Sequence, residues 1–203
     1  MNKKTRMVVA IGMLTGLAVA LQYALEVPIG ALFGFPHLKM DFSDVPALVA
    51  AVIMGPMVGV LVEFLKNLLL LPKSSTFGIG DLINFVVGSG MILAFCYAAK
   101  GGMLLFGKKN IGYGIGLAAA MVATVVLGAL SNYLLFPVYF NMLGAPVDHA
   151  LIMGAVASSV SLNLVKSVLT ILPVTPFIER LQKQYARQEC GIRSGDHMKS
   201  SEA

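Results

Sequence analysis

The sequence predicts an all-α integral membrane protein with six transmembrane helices and both termini in the cytoplasm. Three observations lead there. The 203 residues are 57% hydrophobic and only 12% charged, whereas a soluble domain of this size carries a far more charged skin. Several apolar runs approach the roughly 20 residues that cross a bilayer. The basic residues are also unevenly placed: Lys3, Lys4, Arg6, Lys100, Lys108, Lys109, Arg180, Lys183 and Arg187 fall on one side of a six-span arrangement, against Lys39 and Lys73 on the other. Connections rich in Lys and Arg stay in the cytoplasm. Residues 1–183 form one membrane domain with no room for an ordinary soluble one, and 184–203 form a polar tail expected to be disordered.

The first apolar run, Met7 to Leu25, begins like a signal peptide but continues past Ala18-Val19-Ala20, so it reads as a retained helix. Gly12, Gly16 and Ala20 share one face of it, where another membrane helix can approach closely; packing within the protein has the same spacing. Glu26 to Asp44, with Pro28, Gly30, Gly34 and Pro36, is long enough for a lid over one end of the bundle. Val45–Met54 and Met57–Leu71 make a short second and a third helix about the Gly55-Pro56 break, and Pro72 ends the third. The fourth helix is expected over Asp81–Ala99, closing on a basic loop from Lys100 to Lys109. The fifth runs from Ile111 to Phe136, stopped by Pro137, and the sixth from Ala150 to Leu172, interrupted by Pro173 and Pro176.

Polar groups inside apolar helices are costly and mark either a site or contacts between helices. Glu63 and Lys66 fit both readings. Between Phe35 and Phe85 lie Asp41, Asp44, Gly78, Gly80, Asp81 and Asn84 around two polar breaks. Ser131 and Asn132 interrupt the fifth helix, and Asn163 and Lys166, three residues apart, share a face of the sixth. An amide both donates and accepts, so paired Asn side chains match a heterocycle edge that alternates carbonyl and N–H. Phe85, Tyr133, Phe136 and Tyr139 are the aromatic residues placed to line such a pocket. Gly102 to Lys108 nearly matches a phosphate-binding loop, but Lys109 stands where Ser or Thr is needed, and a membrane helix precedes it. Cys96, Cys190 and the scattered His37, His149 and His197 form no metal-ligand or disulfide pattern.

Three segments carry a family resemblance: GPMVGVLVEFLKNLL from Gly55, TFGIGDLINFVVG from Thr76 and NLVK from Asn163. They resemble the substrate-binding S components of energy-coupling factor (ECF) transporters, and among them the riboflavin-specific members. The resemblance implies a pocket facing outward beneath the first external loop, with riboflavin as transported ligand and no cofactor. It implies a membrane T subunit and two cytoplasmic ABC ATPases as partners, with Gly12, Gly16 and Ala20 as the docking face for T. The riboflavin members' polar residues map onto Asn132, Asn163 and Lys166, and the expected binding set also takes in Asp41, Gly78 and Asn84. Asp81 stands where Glu is expected and Ser167 follows Lys166 where Gly is common; neither change removes a group needed for binding.

Other readings remain open at this level. The same scaffold could serve FMN or another vitamin. A membrane enzyme would need Asp44, Glu63 and Asp81 to converge as acid and base, and a self-sufficient ion-coupled carrier would use Glu63 or Asp81 as its proton site.

Overall fold

The computed structural model describes residues 3–27, 39–74, 76–144 and 148–184. Within them the chain folds into α1 (Lys3–Leu25), α2 (Asp44–Met54), α3 (Pro56–Leu70), α4 (Ile79–Phe106), α5 (Lys109–Met142) and α6 (His149–Ile171). A short 3₁₀ turn, Leu71–Lys73, follows α3; another, Thr175–Phe177, follows α6 before the chain becomes helical again over 178–184. Only an isolated antiparallel bridge, Val27 to Met40, interrupts this helical pattern among the described residues. The polar tail beyond residue 184 lies outside them.

Among the described residues four helices are long and apolar enough to cross a membrane: α1, α4, α5 and α6 with its continuation. The remaining two, α2 and α3, have 11 and 15 residues. At 1.5 Å per residue neither reaches across a hydrocarbon core of about 30 Å by itself. They form a tight hairpin. Gly55 takes φ 113°, a conformation that favours glycine, and Pro56 opens α3 where its missing N–H costs nothing. A Cβ on Gly59 would lie 2.7 Å from the Ala47 carbonyl oxygen, so the two helices touch backbone to backbone.

Two boundaries differ from the expectation, for one reason. The fourth helix does not close at Lys100; it runs on to Phe106, where Gly107 at φ 65° caps it by donating to Met103 O. The fifth does not stop at Pro137 but continues to Met142. Proline removes one N–H bond, a small loss beside the many backbone groups a helix leaves unpaired if it ends in an apolar medium.

The strongest packing runs α4 on α5 and α5 on α6, with the α2–α3 hairpin set against α1 and α4. Leu48, Ala51, Val62, Met91, Ile92, Phe95 and Ala120 form the centre of the apolar core. Met13, Leu17, Leu104, Leu105 and Val122 are exposed around its outside. In water this surface would be an aggregation hazard; against acyl chains it is the natural outer surface.

Candidate functional site

One half-open cavity collects residues from the last turns of α1, the segment before α2, the α3–α4 connection, the first turns of α4, and the facing sides of α5 and α6. Asp41, Asn84, Asn132, Asn163 and Lys166 all line it. Of the expected binding set only Gly78 is absent from its wall. With φ 84° it shapes the start of α4, donating its N–H to Ser74 Oγ at 3.0 Å, while Gly80 faces the cavity.

The α5–α6 wall is built around Ser159. Asn132 Nδ2 donates to Ser159 Oγ at 2.9 Å and to Gly128 O at 2.8 Å, and Asn163 Nδ2 donates to the same hydroxyl at 3.2 Å. A Cβ on Gly128 would sit 2.0 Å from Asn163 Nδ2, so only glycine leaves room for the amide. The expectation missed Ser159, although the signal was there: Ser159, Asn163 and Lys166 follow the i, i+4, i+7 spacing of one helix face. Of the aromatic candidates, Phe136 and Tyr139 line the cavity. Phe85 instead packs edge-on against Phe64, and Tyr133 is half-exposed on the outer surface.

Behind this wall the ionisable groups form a closed ring. Lys166 Nζ donates to Asn84 Oδ1 at 2.9 Å, Asn84 Nδ2 to Asn67 Oδ1 at 3.1 Å, and Asn67 Nδ2 to Glu63 Oε1 at 3.0 Å. Lys66 Nζ pairs with Glu63 Oε1 at 2.5 Å and with Asp44 Oδ1 at 2.6 Å, and Asp44 Oδ2 returns to Lys166 at 3.0 Å. Asp41 braces the ring, 3.4 Å from Lys166 and bonded to the Ser43 backbone N–H at 2.8 Å. Glu63 and Lys66 are fully buried and do not line the cavity. They therefore hold α2 against α3 and fix Asp44, which in turn orients Lys166. Removing one partner of such a pair leaves an uncompensated buried charge.

At the cavity's other edge, Glu26 bridges Lys39 at 2.7 Å and Lys73 at 2.8 Å, and Lys73 lies 4.1 Å from the Tyr23 ring centre. Partial burial pushes the Glu26 carboxyl up, but hydrogen bonds to and the charges of Lys39 and Lys73 outweigh it and hold it below its usual range. The Val27–Met40 bridge, with both N–H to O contacts at 2.9 Å, closes the base of the expected lid. The lid's own residues, 28–38, lie outside the described ones.

On α1, Gly12, Gly16 and Ala20 are exposed, and a Cβ on either glycine would meet nothing within 4 Å. The inward face of this helix is Ile11, Thr15 and Ala18 instead. Packing against the described residues therefore does not explain the small-residue stripe.

Residues 6–178 match the family described as ECF transporter, substrate-specific component. The chain belongs to that family. Riboflavin transporter FmnP of Bacillus subtilis (strain 168) is 33% identical over 193 residues, spanning 87% of this chain and 96% of that protein. Riboflavin transporter RibU of Staphylococcus aureus (strain TCH60) is 30% identical over 169 residues, 82% and 85% of the two chains. A solved S component of a bacterial ECF transporter superposes with a TM-score of 0.70 at 26% identity, covering 89% of this chain and 98% of that one. This S component is accordingly a multi-pass protein of the bacterial membrane, in a family of transporter components and not of enzymes.

Proposed function

We propose that this S component captures riboflavin from outside the cell and delivers it inward together with a membrane T subunit and two ABC ATPases. The observation that carries the reading is the cavity wall itself: Asn132, Asn163 and Lys166 converge beside Phe136 and Tyr139, in a chain whose relatives are named riboflavin transporters. The isoalloxazine ring has apolar faces suited to aromatic neighbours and an edge of carbonyls and N–H that needs partners once water is excluded. Asn132 spends its Nδ2 on Gly128 O and Ser159 Oγ, and in this reading its Oδ1 accepts the ring N–H. Lys166, whose contact with Asp41 is long at 3.4 Å, gives up that contact to donate to a ring carbonyl.

In this reading α2 and α3 complete six spans with both termini cytoplasmic, residues 26–44 form an external lid, and Gly12, Gly16 and Ala20 contact T. The protein itself has no cofactor and performs no chemistry.

Titrating the purified chain with riboflavin tests this directly, because an enclosed, stacked flavin loses fluorescence. Saturable quenching is expected; its absence would reject riboflavin as the ligand. Leaving a buried group of the ring edge unpaired costs roughly 1–3 kcal/mol, so Asn163→Leu should weaken binding about 5- to 150-fold. Lys166→Met should weaken riboflavin and lumichrome, the ring without its sugar-alcohol chain, by similar factors.

A further inference from the structure

The α1–α4 side of the cavity differs chemically from the α5–α6 wall. There, Gln22 Oε1 and Asp81 Oδ2 are buried and have no hydrogen-bond partner, and both residues line the cavity. Gln22 lies one helical turn before Glu26, at the outer end of α1, and Asp81 lies in the first turn of α4. Nearby cations do not satisfy them, since Lys39 and Lys73 are both engaged by Glu26. A buried acceptor without a donor is unfavourable, and an oxygen that accepts but cannot donate is satisfied only by an O–H or N–H brought from elsewhere.

We infer that Gln22 and Asp81 are ligand-binding residues that accept hydrogen bonds from the hydroxyl groups of a polyol chain on the ligand. The inference rests on the riboflavin reading and deepens it. The ring's polar edge is mostly acceptors and belongs with Asn163, which spends one of its two amide hydrogens on Ser159, and with Lys166 once its long contact to Asp41 is released. The sugar-alcohol chain is the ligand's store of O–H donors and belongs with the orphaned acceptors across the cavity. The pocket is thus two-sided, donors for the ring and acceptors for the chain, and it selects a ring that carries a hydroxylated tail over the bare ring.

The test measures the affinities of the purified full chain for riboflavin and for lumichrome. Asp81→Ala is expected to weaken riboflavin about 10-fold while leaving lumichrome within about 2-fold of the unmodified chain. Asp81→Asn, which keeps an acceptor oxygen, should recover part of that loss. Parallel losses for both ligands in variants that remain folded, or no loss for riboflavin, would overturn the assignment. If Asp81→Ala binds neither ligand, Gln22→Leu on the other helix decides by the same two readings: a riboflavin-only loss supports the acceptor pair, and any other pattern rejects it. Failure of the riboflavin reading is separately visible, because the unmodified chain would then bind neither flavin.

Discussion

Two stripes of small residues at four-residue spacing run through this molecule, and they do opposite things. On α5, Gly112, Gly116, Ala120, Thr124 and Gly128 are buried and continue directly into Asn132 and Phe136. A Cβ on Gly112 would lie 2.7 Å from Ala99 O, and one on Gly116 2.9 Å from Phe95 O. Those glycines let the α4 backbone settle onto α5. On α1, Gly12 and Gly16 face open space. Small residues at this spacing reveal that a helix offers a face for close approach, but not which helix approaches. The filled stripe builds the pocket wall; the empty one meets no described residue of this chain.

The largest effect should come from the filled stripe. Gly116→Leu drives a branched side chain into the α4 backbone, and overpacking of this kind costs about 3 kcal/mol or more where backbone cannot move aside. Little folded protein should be recovered from detergent extracts, with no flavin binding by fluorescence. Normal recovery and affinity would mean that α4 and α5 separate more readily than their contact implies.

Gly128→Ala comes next and bears on the site instead of the fold. The added methyl meets Asn163 Nδ2, the end of a movable side chain, so the helix pair should survive while the amide is displaced from Ser159. Loss of one buried hydrogen-bonding group corresponds to roughly 1–3 kcal/mol, or about 5- to 150-fold in affinity. Unchanged affinity with unchanged thermal stability would remove Asn163 from the set of ligand contacts.

The two stripes also mark what the sequence could disclose. Local punctuation was legible: the Gly55-Pro56 turn and the break after Leu172 are written in residues whose backbone limits hold in any fold. Face-sharing was legible too, which is why Asn163 and Lys166 meet at the cavity. Facing direction was not. Phe85 and Tyr133 have the same composition signal as Phe136 and Tyr139 but point elsewhere, because orientation is fixed by the neighbours that α4 and α5 acquire. The Asp44–Lys66–Glu63 ring depended on α2 docking against α3 and lay beyond spacing arguments, as did the binding of Lys166 to Asp44 from a distant helix. Helix ends differ from the expectation after Lys100 and at Pro137, where Gly101, Gly102 and Pro137, which weaken or break helices in water, are tolerated because the apolar surroundings penalise unpaired backbone more.

The smallest effect on the isolated subunit should come from the empty stripe, and its sign is the informative part. At Gly16 a leucine meets no neighbour, and replacing glycine within a helix favours the helix by up to about 1 kcal/mol. Gly16→Leu should therefore leave riboflavin affinity unchanged and raise thermal stability slightly, whereas the same substitution at Gly116 destroys both. If the exposed face docks on a T subunit, the leucine separates the two helices by the width of a side chain, and close packing between small residues cannot survive that. Uptake by cells carrying the complete transporter should then fail, and the variant should not co-purify with the partner complex. Retained uptake would assign α1's open face to lipid. Loss of binding in the isolated subunit would return the stripe to the protein's own interior and erase the contrast with α5.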